Sequence, residues 1–105
     1  MTERKYKICL SVPIGQREGS MYICESDGRL NGWLEVMGKQ NDISGFMHAD
    51  GSIEISGTIQ TLISRIAYAA KGTIIEDAIS LKLIATCGEA YHVFGKEIKQ
   101  NDKIL

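Results

Sequence analysis

The side chains able to do chemistry are few and widely spaced. There are two histidines, His48 and His92, and three cysteines, Cys9, Cys24 and Cys87. A soft-metal site draws on such residues at short, fixed spacings, because ligands on one strand or helix face then arrive pre-aligned. No His-x-His, His-x-x-x-His or Cys-x-x-Cys occurs, so neither a metal nor a cofactor is expected. An odd number of distant cysteines reads as free thiols that bury as small hydrophobic groups.

Catalytic constellations are equally sparse. The run Gly15-Gln16-Arg17-Glu18-Gly19-Ser20 has the glycines of a phosphate-cradling loop but lacks the Gly-Lys-Ser/Thr ending. It also leads into a strand, so no helix N-terminus would meet the phosphate. There is no Gly-x-Ser-x-Gly nucleophile elbow. Asp42, Glu54, Glu76, Asp77, Glu89 and Glu97 fall at turns or outward positions, where solvated charge is the ordinary role. Glu35 differs in sharing a strand face with Trp33 and Met37. No catalytic residue is assigned.

Lys and Arg number 12 against 13 Asp and Glu, a net charge of −1. The sequence pI is about 6.1. Nucleic-acid binding ordinarily leaves a basic footprint, so no nucleic-acid partner is expected from composition. No stretch approaches the ~18 consecutive apolar residues of a membrane helix. Residues 1–5 run straight into a strand pattern with no apolar leader core, so the chain is expected to be cytoplasmic, with no membrane partner.

The elements that must position these side chains are strands. Two-residue alternation, the mark of a half-buried strand, recurs through the chain. The runs are Tyr6 to Val12, Ser20 to Ser26, Arg29 to Met37, Asp42 to Ala49, Ser52 to Ile59, Arg65 to Ile75, Ile79 to Ala85 and Glu89 to Glu97. Asp27-Gly28 and Asp50-Gly51 are strong hairpin signals, because a type I′ turn requires positive φ at both central residues. Residues 14–19 read as a loop, and 60–64 as either continued strand or a single helical turn. The chain is expected to be one all-β domain over 1–97, with a frayed tail over 98–105.

A glycine recurs at the centre of several strands. It appears in Leu30-Asn31-Gly32-Trp33-Leu34, Ile43-Ser44-Gly45-Phe46-Met47, Ile55-Ser56-Gly57-Thr58-Ile59 and Ala70-Lys71-Gly72-Thr73-Ile74. Strand glycines permit sharp bends or make room for a large neighbour. Their regular use predicts an antiparallel up-and-down meander of about eight short strands, strongly coiled or closed into a small barrel. In outline this resembles lipocalin-like meanders; the likeness is architectural and carries no shared motif.

Three functional readings follow. Met21, Ile23, Trp33, Met37, Phe46 and Ile84 lie opposite the main apolar stripe, where a one-core meander should be polar. Met21, Trp33, Met37 and Phe46 are therefore expected to form an interaction surface for a protein partner, most simply a second copy of the chain. The alternative is a barrel that binds a small apolar ligand, with Tyr68 and His92 as polar anchors on mostly apolar bodies. The third reading is an enzyme without a recognisable motif.

Overall fold

The alternating runs fold, in a computed structural model, into β1 (Thr2–Val12), β2 (Gly15–Ser26), β3 (Arg29–Val36), β4 (Lys39–Met47), β5 (Ser52–Gln60), β6 (Arg65–Ile75), β7 (Ala78–Ala85) and β8 (Ala90–Glu97). The structure describes residues 2–12, 15–60 and 65–98. Every strand is antiparallel to the next, and β8 returns to β1 to close the barrel, with Tyr6 opposite Glu97 and Ser11 opposite His92. Closure leaves no strand edge with unpaired N–H and C=O groups.

The interior is one apolar cluster drawn from all strands, including Tyr6, Leu10, Met21, Leu34, Ile55, Tyr68, Leu81 and Val93. Each fully buried Leu, Ile or Val contributes about 1.5–3 kcal/mol relative to exposure, so these alternate positions dominate stability. Between them, β5 turns Ser52, Glu54, Ser56 and Thr58 away from the core. Glu54 and Ser56 there are exposed. A lipid-embedded barrel has the reverse polarity, with its apolar band outside.

The turns follow backbone chemistry. Asp27 and Gly28 have φ of 53° and 82°, the pair of positive values that a type I′ hairpin needs. The β3–β4 turn repeats this with Met37 and Gly38 at 55° and 74°. Asp50-Gly51 instead ends a longer connection from His48, in which Asp50 Oδ1 accepts from the Ser52 N–H (2.9 Å) and Ser52 hydroxyl (2.7 Å).

Three strand-level expectations change. Residues 15–19 are strand, because they pair with Ile8–Val12 of β1 despite having no alternating pattern of their own. Met21 and Ile23 face inward: Met21 lies opposite Tyr6 and Leu34, and Ile23 opposite Gly32. Both are 1% exposed, so Met21 belongs to the core, not to an interaction surface. A strand's phase is set by its register with neighbours, and a one-residue change of phase moves every side chain to the other face. Finally, Gln60 ends β5, while 61–64 and the tail beyond Ile98 lie outside the described residues.

The strand glycines occupy inward rows as expected, and close approach explains them. A Cβ at Gly45 would collide with the Glu54 carbonyl oxygen on β5, which is backbone and cannot rotate away. At Gly57 a Cβ would lie 2.8 Å from the Asp42 carbonyl oxygen and 3.1 Å from the Tyr68 hydroxyl. Bare glycine lets the strands bend tightly, and an aromatic ring covers the gap it leaves.

Candidate functional site in the barrel interior

Two tyrosines enter the core, and they differ in surroundings. Tyr6, near the end where the chain begins, is fully buried, and its hydroxyl has no hydrogen-bond partner among the described residues. Burial raises its pKa, while the adjacent Arg4 guanidinium, though outside hydrogen-bonding geometry, lowers it; Glu97 and Asp77 oppose Arg4. Tyr6 thus lies beneath a charged rim.

Tyr68 lies toward the opposite end, where the β3–β4 and β7–β8 turns sit. Residue alternation along β6 sends it inward, as the sequence predicts, and it is 5% exposed. Its cross-strand partners are Gly57 on β5 and Ala85 on β7, two of the smallest residues available. Ala70, the next inward residue of β6, is also small and buried. The hydroxyl reaches over Gly57 yet finds no hydrogen-bond partner among the described residues. Burial alone pushes its pKa up to about 12, with no charged neighbour contributing. Tyr68 is therefore a neutral hydrogen-bond donor buried among apolar and small residues.

Asn41 is the polar residue that sequence reasoning missed. It is 8% exposed on β4. Its side-chain N–H groups donate to the Leu34 (3.3 Å) and Lys39 (3.2 Å) carbonyls, and its Oδ1 accepts from the Gln60 N–H (3.1 Å). Its three hydrogen bonds among the described residues are all to backbone, so it ties the end of β5 to the β3–β4 hairpin, a structural role. Its alternation with Ile43 and Gly45 was the available signal.

The remaining candidates point outward. His92 is exposed on β8, opposite Ser11 and Lys82. It cannot anchor an interior ligand, because its neighbour Val93 takes the inward position. His48 Nε2 pairs with Glu54 Oε2 at 2.8 Å, and both side chains are half exposed. That hydrogen bond is the main influence holding the Glu54 carboxyl below its usual pKa. Among the described residues no group of three His, Cys, Asp or Glu side chains could hold a metal ion. Glu35 accepts a hydrogen bond from the Ser20 hydroxyl (3.1 Å).

The proposed surface residues do not form one patch. Trp33 stacks on Tyr22 with ring centroids 5.9 Å apart, and Lys5 Nζ lies 5.7 Å from its ring centre. Met37 is exposed because it occupies a turn, and Phe46 lies near the opposite end of the barrel, across from Arg29.

These features define a small, closed, antiparallel β-barrel with two buried phenols that find no hydrogen-bond partner among the described residues. No protein-family model matches the chain, and no curated protein matches it. Among solved structures, it is similar to the redesigned β-barrel b11L5F_LGL, with a TM-score of 0.72 and 10% identity over 90% of each chain. It is also similar to the redesigned β-barrel mFAP1 bound to DFHBI, with a TM-score of 0.67 and 12% identity over 88% of this chain and 91% of that one. The redesigned β-barrel mFAP0 bound to DFHBI gives a TM-score of 0.64 and 13% identity over 88% and 94%. At such identities the likeness is one of fold alone.

Proposed function

We propose that the barrel binds a small, mostly apolar ligand in its interior, and that Tyr68 donates the one directional hydrogen bond to it. The observation that carries this reading is the buried Tyr68 hydroxyl, which has no partner among the described residues and stands in a row of small residues. A buried donor left unsatisfied costs about 1–3 kcal/mol, and a ligand acceptor would recover that cost. The ligand therefore carries a carbonyl, ether or aromatic-nitrogen acceptor on an otherwise apolar frame. Two barrels of similar fold that have been solved bound to DFHBI support the architecture's capacity for such a ligand.

Xenon tests the interior without knowledge of the ligand, because apolar cavities take it up. Under xenon pressure, the methyl resonances of Ala70, Ala85 and Ile59 are expected to shift in NMR spectra, while outward methyls stay in place. Calorimetric titration with DFHBI then tests the donor, and Tyr68→Phe should weaken binding about three- to tenfold, the value of one neutral hydrogen bond. Interior methyls that ignore xenon would mean a filled core and would remove the reading.

A further inference from the structure

The barrel separates charges that composition averages out. β6, β7 and β8 together carry Arg65, Lys71, Lys82, His92 and Lys96 against one carboxylate, Glu97, at the very end of β8. β1 adds Lys7 on the next strand around the wall. The register then sets like groups directly opposite one another: Lys71 faces Lys82, Lys82 faces His92, and Lys7 faces Lys96. All five side chains are exposed. Glu54 attends Lys71, but among the described residues Lys7, Lys82 and Lys96 make no ion pair. Like charges opposed across strands are destabilising, so ordinary solubility does not account for this arrangement.

An aromatic ring sits at the centre of the face. Phe94 is 44% exposed and lies between His92 and Lys96 as the middle of three alternate outward residues of β8. Its cross-strand neighbours are the short side chains Ser80 and Cys9. The ring is thus open at its flanks. One basic row, Lys82 with His92 opposite it, stands two residues to one side of it, and another, Lys7 with Lys96 opposite it, two residues to the other. At ~3.3 Å per residue the two rows are about 13 Å apart with the ring midway.

We infer that the outer face of β7–β8–β1 binds single-stranded nucleic acid, with one base stacked on Phe94 and flanking phosphates on the two lysine rows. Stacking platforms between cations are how single strands are held without sequence readout, since every base has a π-face and every linkage a charge. Duplex is disfavoured, because its bases are already stacked on each other and cannot reach the ring. An anionic bilayer would match the lysines, but it would leave the central position of a single aromatic between them without a role. The near-neutral pI does not oppose this reading, because the relevant charge is that of one wall.

Fluorescence anisotropy with labelled 15-nucleotide oligo-dT and oligo-U at low salt tests the inference. Binding is expected, with affinity falling as salt rises at a log–log slope of about −2, as for roughly three phosphates neutralised on a single strand. Lys82→Glu with Lys96→Glu should abolish it. Phe94→Ala should weaken it at least fivefold with the salt slope unchanged, and Phe94→Trp should restore it. Lys82→Glu alone should weaken it, while Lys39→Glu, the same charge change at the β3–β4 turn, should have little effect. All the positions are exposed, and circular dichroism confirms that each variant keeps the barrel. The inference is overturned by no binding at 20 mM salt, by an equal loss in Lys39→Glu, by indifference to Phe94→Ala, or by retention on phosphatidylserine vesicles without retention of oligonucleotide.

Discussion

Replacing Tyr68 by Phe removes one oxygen and leaves the ring over Gly57. The hydroxyl is buried with no partner among the described residues, so its desolvation is uncompensated in the ligand-free barrel. Removing it should recover about 1–3 kcal/mol, less a few tenths for the small gap beside Gly57. The expected net gain is about 1–2 kcal/mol at pH 8, or roughly 5–10 °C in Tm for a chain of this size. The gain should grow in alkali. The Tyr68 pKa is raised to about 12 in the folded state from 10.0, so the phenol stays protonated in the barrel where the unfolded chain has lost its proton. The stability associated with the neutral buried phenol is complete below pH 10 and is lost as pH rises from 10 through 12. Two units correspond to about 3 kcal/mol. The other buried tyrosine, Tyr6, also has a raised pKa, so the measurement must be a difference between wild type and variant. Urea denaturation followed by far-UV circular dichroism at pH 8, 10 and 11.5 supplies it. A variant less stable than wild type at pH 8 would show that the hydroxyl is satisfied. A difference that stays flat from pH 10 to 11.5 would show that the phenol is not shielded from water. Either result would refute the reasoning on which the ligand reading rests.

Gly45→Ala should destabilise by about 3 kcal/mol, since its methyl meets the Glu54 carbonyl oxygen; a change under 1 kcal/mol in urea would deny the close approach. Asn41→Ala should cost about 1–2 kcal/mol by removing the side-chain tie from the part-buried Gln60 N–H to the β3–β4 hairpin, and amide exchange at Gln60 should accelerate with it. Met37→Ser and Phe46→Ser should each change stability by less than about 0.5 kcal/mol, as exposed positions do. Light scattering across a concentration series should register no mass change on making that pair of substitutions, and dissociation of a dimer by them would restore the self-association reading.

The chain's own pattern determined a great deal. Alternation at period two selected strands, and Asp27-Gly28 selected a tight hairpin turn because few other pairs accept two positive φ values. The inward faces of β3, β4, β5 and β7 could be read directly, because Leu30, Ile43, Ile55 and Leu81 alternate with polar residues; on β6 Tyr68 alternates with the small residues Ala67 and Ala69. Glycines at strand centres announced tight coiling, since a strand gives up side-chain contacts there only where a neighbouring backbone comes close. Tyr68 was legible as an inward-facing side chain for the same reason of phase.

What the tertiary structure alone decided was register and neighbourhood. β2 carries apolar residues at odd positions and Tyr22 and Cys24 at even ones, so its pattern permits either phase. Only pairing with Tyr6 and Leu34 sends Met21 inward. On β8, Tyr91 and Val93 compete with His92 and Phe94 for the interior, and the match of Val93 to Leu10 and Leu81 turns His92 outward. The same registers align Lys71, Lys82 and His92 side by side on three successive strands, although they are ten or more residues apart in sequence. Composition could not show this, because net charge sums over a closed wall whose sides face different ways. The path around a barrel is set by hydrogen-bond register, and that register is a property of paired strands, which no single strand's sequence contains.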